Sequence, residues 1–262
     1  MILNQILGLS QQQFIGFFLA LLRISALVVV APVLGSQTVP AKVKIFLALF
    51  LTLIVLPVVK SEQDVASLSM LSLFPLAVKE ITIGLFLGFI AKFMFEGFQF
   101  AGHLISTQMG LGMAQLVDPE SGAHTSPVGN IYSLVAIMLF LILNGHHLVI
   151  SALFKTFEII PVSKLNVIET AAKIKMTSMF NNLFTIGIKL AAPSMVTLFL
   201  IEACMGIMAR IAPQMNIFFI GLPLRLAVGM FILIASLPVF YLLFESVLSA
   251  WKRDITGILI YL

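Results

Sequence analysis

The stretch QMGLGMAQLVDPESGAHTSPVGN, residues 108–130, lies between two long apolar runs, residues 81–100 and 131–143. Its glycines and prolines are too frequent for a helix interior. Its first half is too apolar for an ordinary solvated loop. Among membrane helices, irregular backbone is tolerated only where protein or trapped water surrounds it, because lipid offers no hydrogen-bond partners. The stretch therefore reads as a segment inserted into a cavity or pore.

Composition supports the membrane setting. The chain has 262 residues, 60% hydrophobic and 10% charged, with a mean hydropathy of +1.13. Soluble domains carry about 25% charged and about 45–50% apolar residues. This chain lacks the polar residues to coat a soluble globule of its size, and reads as a multi-spanning all-α membrane protein. The single cysteine, Cys204, excludes an intrachain disulfide, and its apolar surroundings read as a small core residue. The net charge is +4, and the basic residues are scattered, so nothing suggests nucleic-acid binding. Residues 1–13 contain no Lys or Arg and no small-residue cleavage pattern follows, so the first apolar segment is expected to stay in the mature protein.

About six apolar segments follow: residues 14–34, 45–59, 76–100, 131–154, 183–208 and 217–244. All but the short second one approach or exceed the ~20 residues that span a bilayer. No link between them is long enough for a soluble domain, so residues 1–262 are expected to form a single domain. Within the link 155–182, the run 166–180 places Ile168, Ala172, Met176 and Met179 near one side of a helical pattern. It reads as an interfacial amphipathic helix or a solvated connecting helix. Lys155, Lys164, Lys173, Lys175, Lys252 and Arg253 oppose Lys42, Lys44 and Arg210 across the expected spans. That bias alone puts both termini in the cytoplasm, but acidic residues offset it in the long link.

Charges inside the segments carry more weight. They are Arg23; Lys79, Glu80, Lys92 and Glu96; Lys189 and Glu202; Arg225 and Glu245. A charge facing acyl chains at mid-membrane costs at least ~2.5 kcal/mol. They imply polar cavities, buried partners, or helices that do not sit in lipid along their whole length; snorkelling near an interface is the plainer alternative. Lys92 and Glu96 have the spacing to pair on one helix face. Pro32, Pro57, Pro75, Pro193, Pro223 and Pro238 are expected to kink or end helices. Gly84 and Gly88 are spaced for close helix packing.

Catalytic chemistry is not apparent. No nucleophile elbow, zinc-protease helix, P-loop or dinucleotide fingerprint occurs. His146 and His147 are adjacent, not at the i, i+4 spacing that chelates one metal, and read as polar groups near a segment end. Asp118 and Glu120 flank Pro119, which turn formation explains. No enzyme activity, metal or cofactor is expected.

Several stretches coincide with one family. Arg23, Pro32, Gly35 and Pro40, then QMGLGMAQLVDP (108–119), FLILNGHH (140–147) and ARIAPQMNIFFIGLPLR (209–225), closely resemble the FliR/SctT family. These are subunits of the type III protein export gate, and the resemblance runs over nearly the whole chain in order. The wording QMGLGMAQ and NGHH is more similar to the flagellar FliR branch than to the SctT subunits of virulence secretion systems. Lys42 and Lys44 stand in a region where the family often carries Arg.

The resemblance implies a non-enzymatic gate subunit in the bacterial inner membrane at the flagellar basal body. It implies assembly with FliP-like and FliQ-like subunits around a pore that passes unfolded flagellar proteins. The kinked helices would form tilted hairpins raised from the membrane plane, including a C-terminal hairpin over residues 183–249. The central loop would plug the pore. In it Gly110 and Gly112 would let backbone pass a narrow wall, and Leu111, Met113, Leu116 and Val117 would seal it. Asp118 and Pro119 would turn the chain away. The hairpin tip, with Arg210, Pro213, Gln214 and Asn216, would face the cytoplasm and an FlhB-like partner. A small-solute secondary transporter is the competing reading, but no duplicated half is visible.

Overall fold

A computed structural model describes residues 11–36, 38–59, 70–112, 126–162, 169–214 and 216–261. Among the described residues the regular structure is entirely helical. The helices are α1 (Gln11–Val30), α2 (Ala41–Val55), α3 (Met70–Gln108), α4 (Pro127–Ile142), α5 (Gly145–Ile159), α6 (Glu169–Ile211) and α7 (Ile217–Tyr261). Four stretches are long and apolar enough to cross a membrane: Gln13–Val30, Leu73–Gln108, Asn181–Ile211 and Phe219–Arg253. The broken pair α4 and α5 adds a fifth if counted as one span. The chain is an all-α membrane protein. The last three stretches run 36, 31 and 35 residues. At 1.5 Å per residue they reach about 54, 46 and 52 Å, well beyond the ~30 Å hydrocarbon layer.

Three expectations need correction. The apolar segment 131–154 is two helices, because Asn144 takes a left-handed conformation (φ 56) between α4 and α5. Asn is one of the few residues that tolerates this region, through its short polar side chain. The stretch 169–180, expected in a separate interfacial or connecting helix, is instead the first part of the 43-residue α6. Cys204, expected in a core, is exposed. Apolar neighbours do not imply burial where a helix keeps apolar residues on every side.

Prolines divide into two groups. Pro32 and Pro57 follow the ends of α1 and α2, while Pro75, Pro193, Pro223 and Pro238 sit inside helices.

The helices gather into two compact units. One comprises Met1–Lys92, Asn144–Thr177 and Ala250–Leu262. In it α1 packs on α2, which buries Ala48, Leu51, Thr52 and Val55. Gly84 and Gly88 of α3 face α1. A Cβ at Gly84 would overlap the Arg23 carbonyl, and one at Gly88 would lie 2.9 Å from Val30 Cβ. The two backbones approach closely because neither glycine has a side chain.

The other unit comprises Phe93–Leu143 and Ser178–Ser249. Its core is aromatic. Phe98 of α3 lies 4.7 Å from Phe240 and 5.3 Å from Phe244 of α7, ring centre to ring centre. Phe95 meets Phe140 of α4 edge-on at 5.2 Å, and Tyr132 meets Phe240 at 5.1 Å. The Tyr132 hydroxyl and Ser236 Oγ share a 2.9 Å hydrogen bond, which satisfies the one polar atom that this ring buries.

Candidate functional site

The central loop is held by a frame built from small residues. On its incoming side α3 ends in a two-bond cap. Gly110 N–H donates to Thr107 O (3.1 Å) and Leu111 N–H to Ser106 O (3.1 Å). Gly110 takes φ +82, the left-handed conformation that this Schellman motif requires and glycine adopts without strain. The visible reason for Gly110 is therefore conformational as well as steric: a Cβ there would also touch Leu222 Cδ1 at 3.0 Å. Gly112 has no described neighbour within 4 Å of such a Cβ, so no close wall accounts for it among the described residues.

Met109, just before the cap, is fully buried. Its side chain lies over Gly229 of α7. A Cβ at Gly229 would fall 2.5 Å from Met109 Cγ and 2.8 Å from its Sδ and Cε. On the outgoing side Ser126 caps α4, with Pro127 at the start of the helix. Ser126 Oγ accepts from Gly129 N–H (3.0 Å) and donates to Gly102 O (3.3 Å). Gly102 and Gly129 bring α3 and α4 into contact, since a Cβ on Gly102 would lie 2.5 Å from Gly129 Cα.

Of the expected loop residues, Gly110, Leu111 and Gly112 are thus placed at the loop root. Met113, Leu116, Val117, Asp118 and Pro119 lie outside the described residues. Met109, Gly102, Ser126, Gly129 and Gly229 were not singled out from the sequence. Ser126-Pro127 is a helix-start signature that marks one of them; Gly229 has no local signal at all.

The hairpin tip is the second feature. Arg210, Pro213, Gln214 and Asn216 are all exposed. α6 closes with Ala212 N–H donating to Met208 O (2.8 Å), and the Asn216 carbonyl accepts from Phe219 N–H (3.1 Å) at the start of α7. Arg210 stands in the last turn of α6, where a cation favours the negative end of the helix dipole. Ile211 and Phe219 flank the tip at 76% and 77% exposure. Further along the hairpin Arg225 Nη2 pairs with Glu202 Oε1 at 3.2 Å.

The internal charges Arg23, Lys79 and Glu80 form one buried cluster. Arg23 Nε donates to Glu80 Oε2 (2.5 Å). Its Nη1 donates to Thr156 O (3.0 Å) and Nη2 to Ile160 O (3.1 Å). The guanidinium also lies 4.2 Å from the centre of the Phe157 ring. Lys79 Nζ pairs with Glu80 Oε1 (3.0 Å) and donates to Pro161 O (2.9 Å) and Val162 O (3.2 Å). Two cations thus gather the carbonyls around the end of α5, and one carboxylate balances part of their charge.

His146 and His147 rings lie 4.2 Å apart. Among the described residues no three His, Cys, Asp or Glu side chains are grouped to hold a metal.

These features define the class: a polytopic helical membrane protein with a glycine-framed central loop and an exposed helical hairpin tip. The family described as "Bacterial export proteins, family 1" matches residues 14–251. The chain is 37% identical over 222 residues to the flagellar biosynthetic protein FliR of Escherichia coli (strain K12), covering 85% of this chain and 84% of that one. It is 34% identical over 238 residues to FliR of Bacillus subtilis (strain 168), covering 90% and 91%. FliR of Aquifex aeolicus (strain VF5) is 27% identical over 254 residues, covering 93% and 97%. The chain belongs to this FliR family of bacterial export proteins, as a membrane protein of the flagellar export apparatus.

Proposed function

We propose that the chain is a non-enzymatic core subunit of the flagellar type III export gate in the bacterial inner membrane. It builds the secretion pore with FliP-like and FliQ-like subunits, and its central loop plugs that pore at rest. Residues 1–262 act as one export-gate domain. The exported cargo is unfolded flagellar protein, and lipid surrounds part of the helical surface. The tip at Arg210, Pro213, Gln214 and Asn216 meets an FlhB-like partner. Family membership supports the export role, and the flagellar names of the relatives favour this branch over an SctT-type virulence subunit.

One observation carries the plug reading. A loop that begins apolar leaves α3 and returns to α4 through a frame of glycine contacts and capped helix ends. Such a frame fixes where the chain leaves α3 and where it enters α4, as a seal requires. Exposed apolar residues on the hairpin, among them Phe199, Ile207, Phe231 and Leu242, support a protein or lipid neighbour along its length.

The test is an ion-flux assay on vesicles holding the complex assembled with FliP-like and FliQ-like subunits. Deletion of residues 110–117 is expected to leave assembly intact and make the closed complex leak ions. A tight, fully assembled deletion complex refutes the plug. Failure of the chain to co-purify with those subunits refutes the pore.

A further inference from the structure

We propose that Met109 and Gly229 are a positioning pair that fixes the course of Gly110, Leu111 and Gly112 and thereby keeps the resting gate sealed. This rests on the plug reading above and adds which residues hold the plug's root and how.

The argument is steric. Gly229 is an interior position of α7, where glycine is about 1 kcal/mol worse than alanine for the helix itself. The helix has no conformational need for it. What the missing Cβ provides is a notch, and the Met109 side chain fills it: three of its atoms, Cγ, Sδ and Cε, lie within 2.8 Å of where a Cβ would stand. Met109 is 0% exposed. It is bonded into the end of α3 through its own N–H, which donates to Ile105 O (2.9 Å). It also directly precedes Gly110, whose left-handed conformation sets the direction of the following chain. Leu222, two turns before Gly229 on the same helix, touches the space beside Gly110. α7 therefore contacts two consecutive residues of the loop root. A methionine suits this contact because its unbranched side chain fits an irregular gap.

A contact of this kind positions without reacting. When Met109 is seated, α3 leaves α7 in one direction. When it is displaced, the end of α3 loses its seat on α7, and the cap at Gly110 is free to shift and re-aim Leu111 and Gly112.

The test uses the assembled complex in vesicles, with leak of ions at rest as the readout and complex yield as the control. Gly229→Ala is expected to raise the leak about tenfold, the population change that overpacking by one methyl commonly brings. The double variant Gly229→Ala with Met109→Ala relieves the overlap but also removes the anchoring side chain, so its leak is expected to match that of Met109→Ala alone. If Gly229→Ala fails to assemble, Met109→Ala alone carries the test, since the emptied notch also frees the root and raises the leak.

A tight Gly229→Ala complex, in a preparation where deletion of residues 110–117 leaks, overturns the positioning pair and leaves the plug reading standing. A tight deletion complex overturns the plug and this pair together.

Discussion

Arg23 and Glu80 stand 57 residues apart in the chain and 2.5 Å apart in space, and both side chains are wholly shielded from solvent. The pair ties α1 to α3 at the level where Arg23 also collects the carbonyls of Thr156 and Ile160. A guanidinium suits this place because its planar fork can serve three directions at once. Burial of a charge is tolerated here because each cation meets a carboxylate and backbone oxygens.

Breaking this pair from one side should be costly. Glu80→Ala leaves two buried cations, Arg23 and Lys79, without their carboxylate, a loss of about 3–5 kcal/mol, while Arg23→Ala leaves Glu80 paired with Lys79 and is expected to cost less. The double change Arg23→Met with Glu80→Leu removes that pair and leaves Lys79 its backbone acceptors, Pro161 O and Val162 O, so it is expected to be less damaging than Glu80→Ala. Arg23→Lys keeps the charge but loses the fork, and should fall between. Denaturant unfolding in detergent, read by loss of helical circular dichroism, ranks the four variants. A double variant as unstable as Glu80→Ala would deny that the charges depend on each other.

The contact between α3 and α4 predicts a contrast between two glycines. Gly102→Ala drives a methyl into the Gly129 backbone, which has no flexible side chain to yield. Overpacking of this kind costs about 1–3 kcal/mol. Gly112→Ala meets no described residue within 4 Å and is expected to leave the melting temperature unchanged. Thermal unfolding of the two variants side by side decides the point.

The two ends of the loop should respond to substitution through their caps. Gly110→Ala forces an L side chain into a left-handed conformation, at about 1–2 kcal/mol. Gly110→Asn is expected to cost less, since Asn also serves at this cap position. Ser126→Ala removes the acceptor for Gly129 N–H and should cost about 1 kcal/mol. Hydrogen exchange at the Gly129 amide is expected to quicken in Ser126→Ala and to stay unchanged in Ser126→Thr.

The buried Tyr132–Ser236 hydrogen bond offers a coupling measurement. Tyr132→Phe leaves Ser236 with its own helical acceptor, Leu233 O, at 2.8 Å. Loss is therefore expected at about 1 kcal/mol, the net value of a typical hydrogen bond. Ser236→Ala strands the tyrosine hydroxyl and should cost more. Adding Tyr132→Phe to Ser236→Ala is expected to recover part of that loss.

The helical fold was legible where local chemistry decides it. Pro32 and Pro57, expected to kink or end helices, follow helix ends, while Ser126-Pro127 and Gly110 carry helix-start and helix-end signals that the reading of the sequence did not use. The break at Asn144 was counted inside one segment because apolar residues resume after Gly145, His146 and His147. Hydropathy counts them as one run, while backbone conformation at a single residue divides them. Cys204 was misplaced for a related reason: in a chain this apolar, hydrophobicity no longer separates inside from outside.

The chain's own residues determined that it lives among lipids, that it is helical, and that something irregular interrupts its middle. These follow from composition and from torsional preferences, which act over a few residues. Only tertiary structure decided that Arg23 meets Glu80, that Gly102 lies on Gly129, and that Met109 sits over Gly229. Each joins helices far apart along the chain, and their partners are chosen by shape and charge at contact distance.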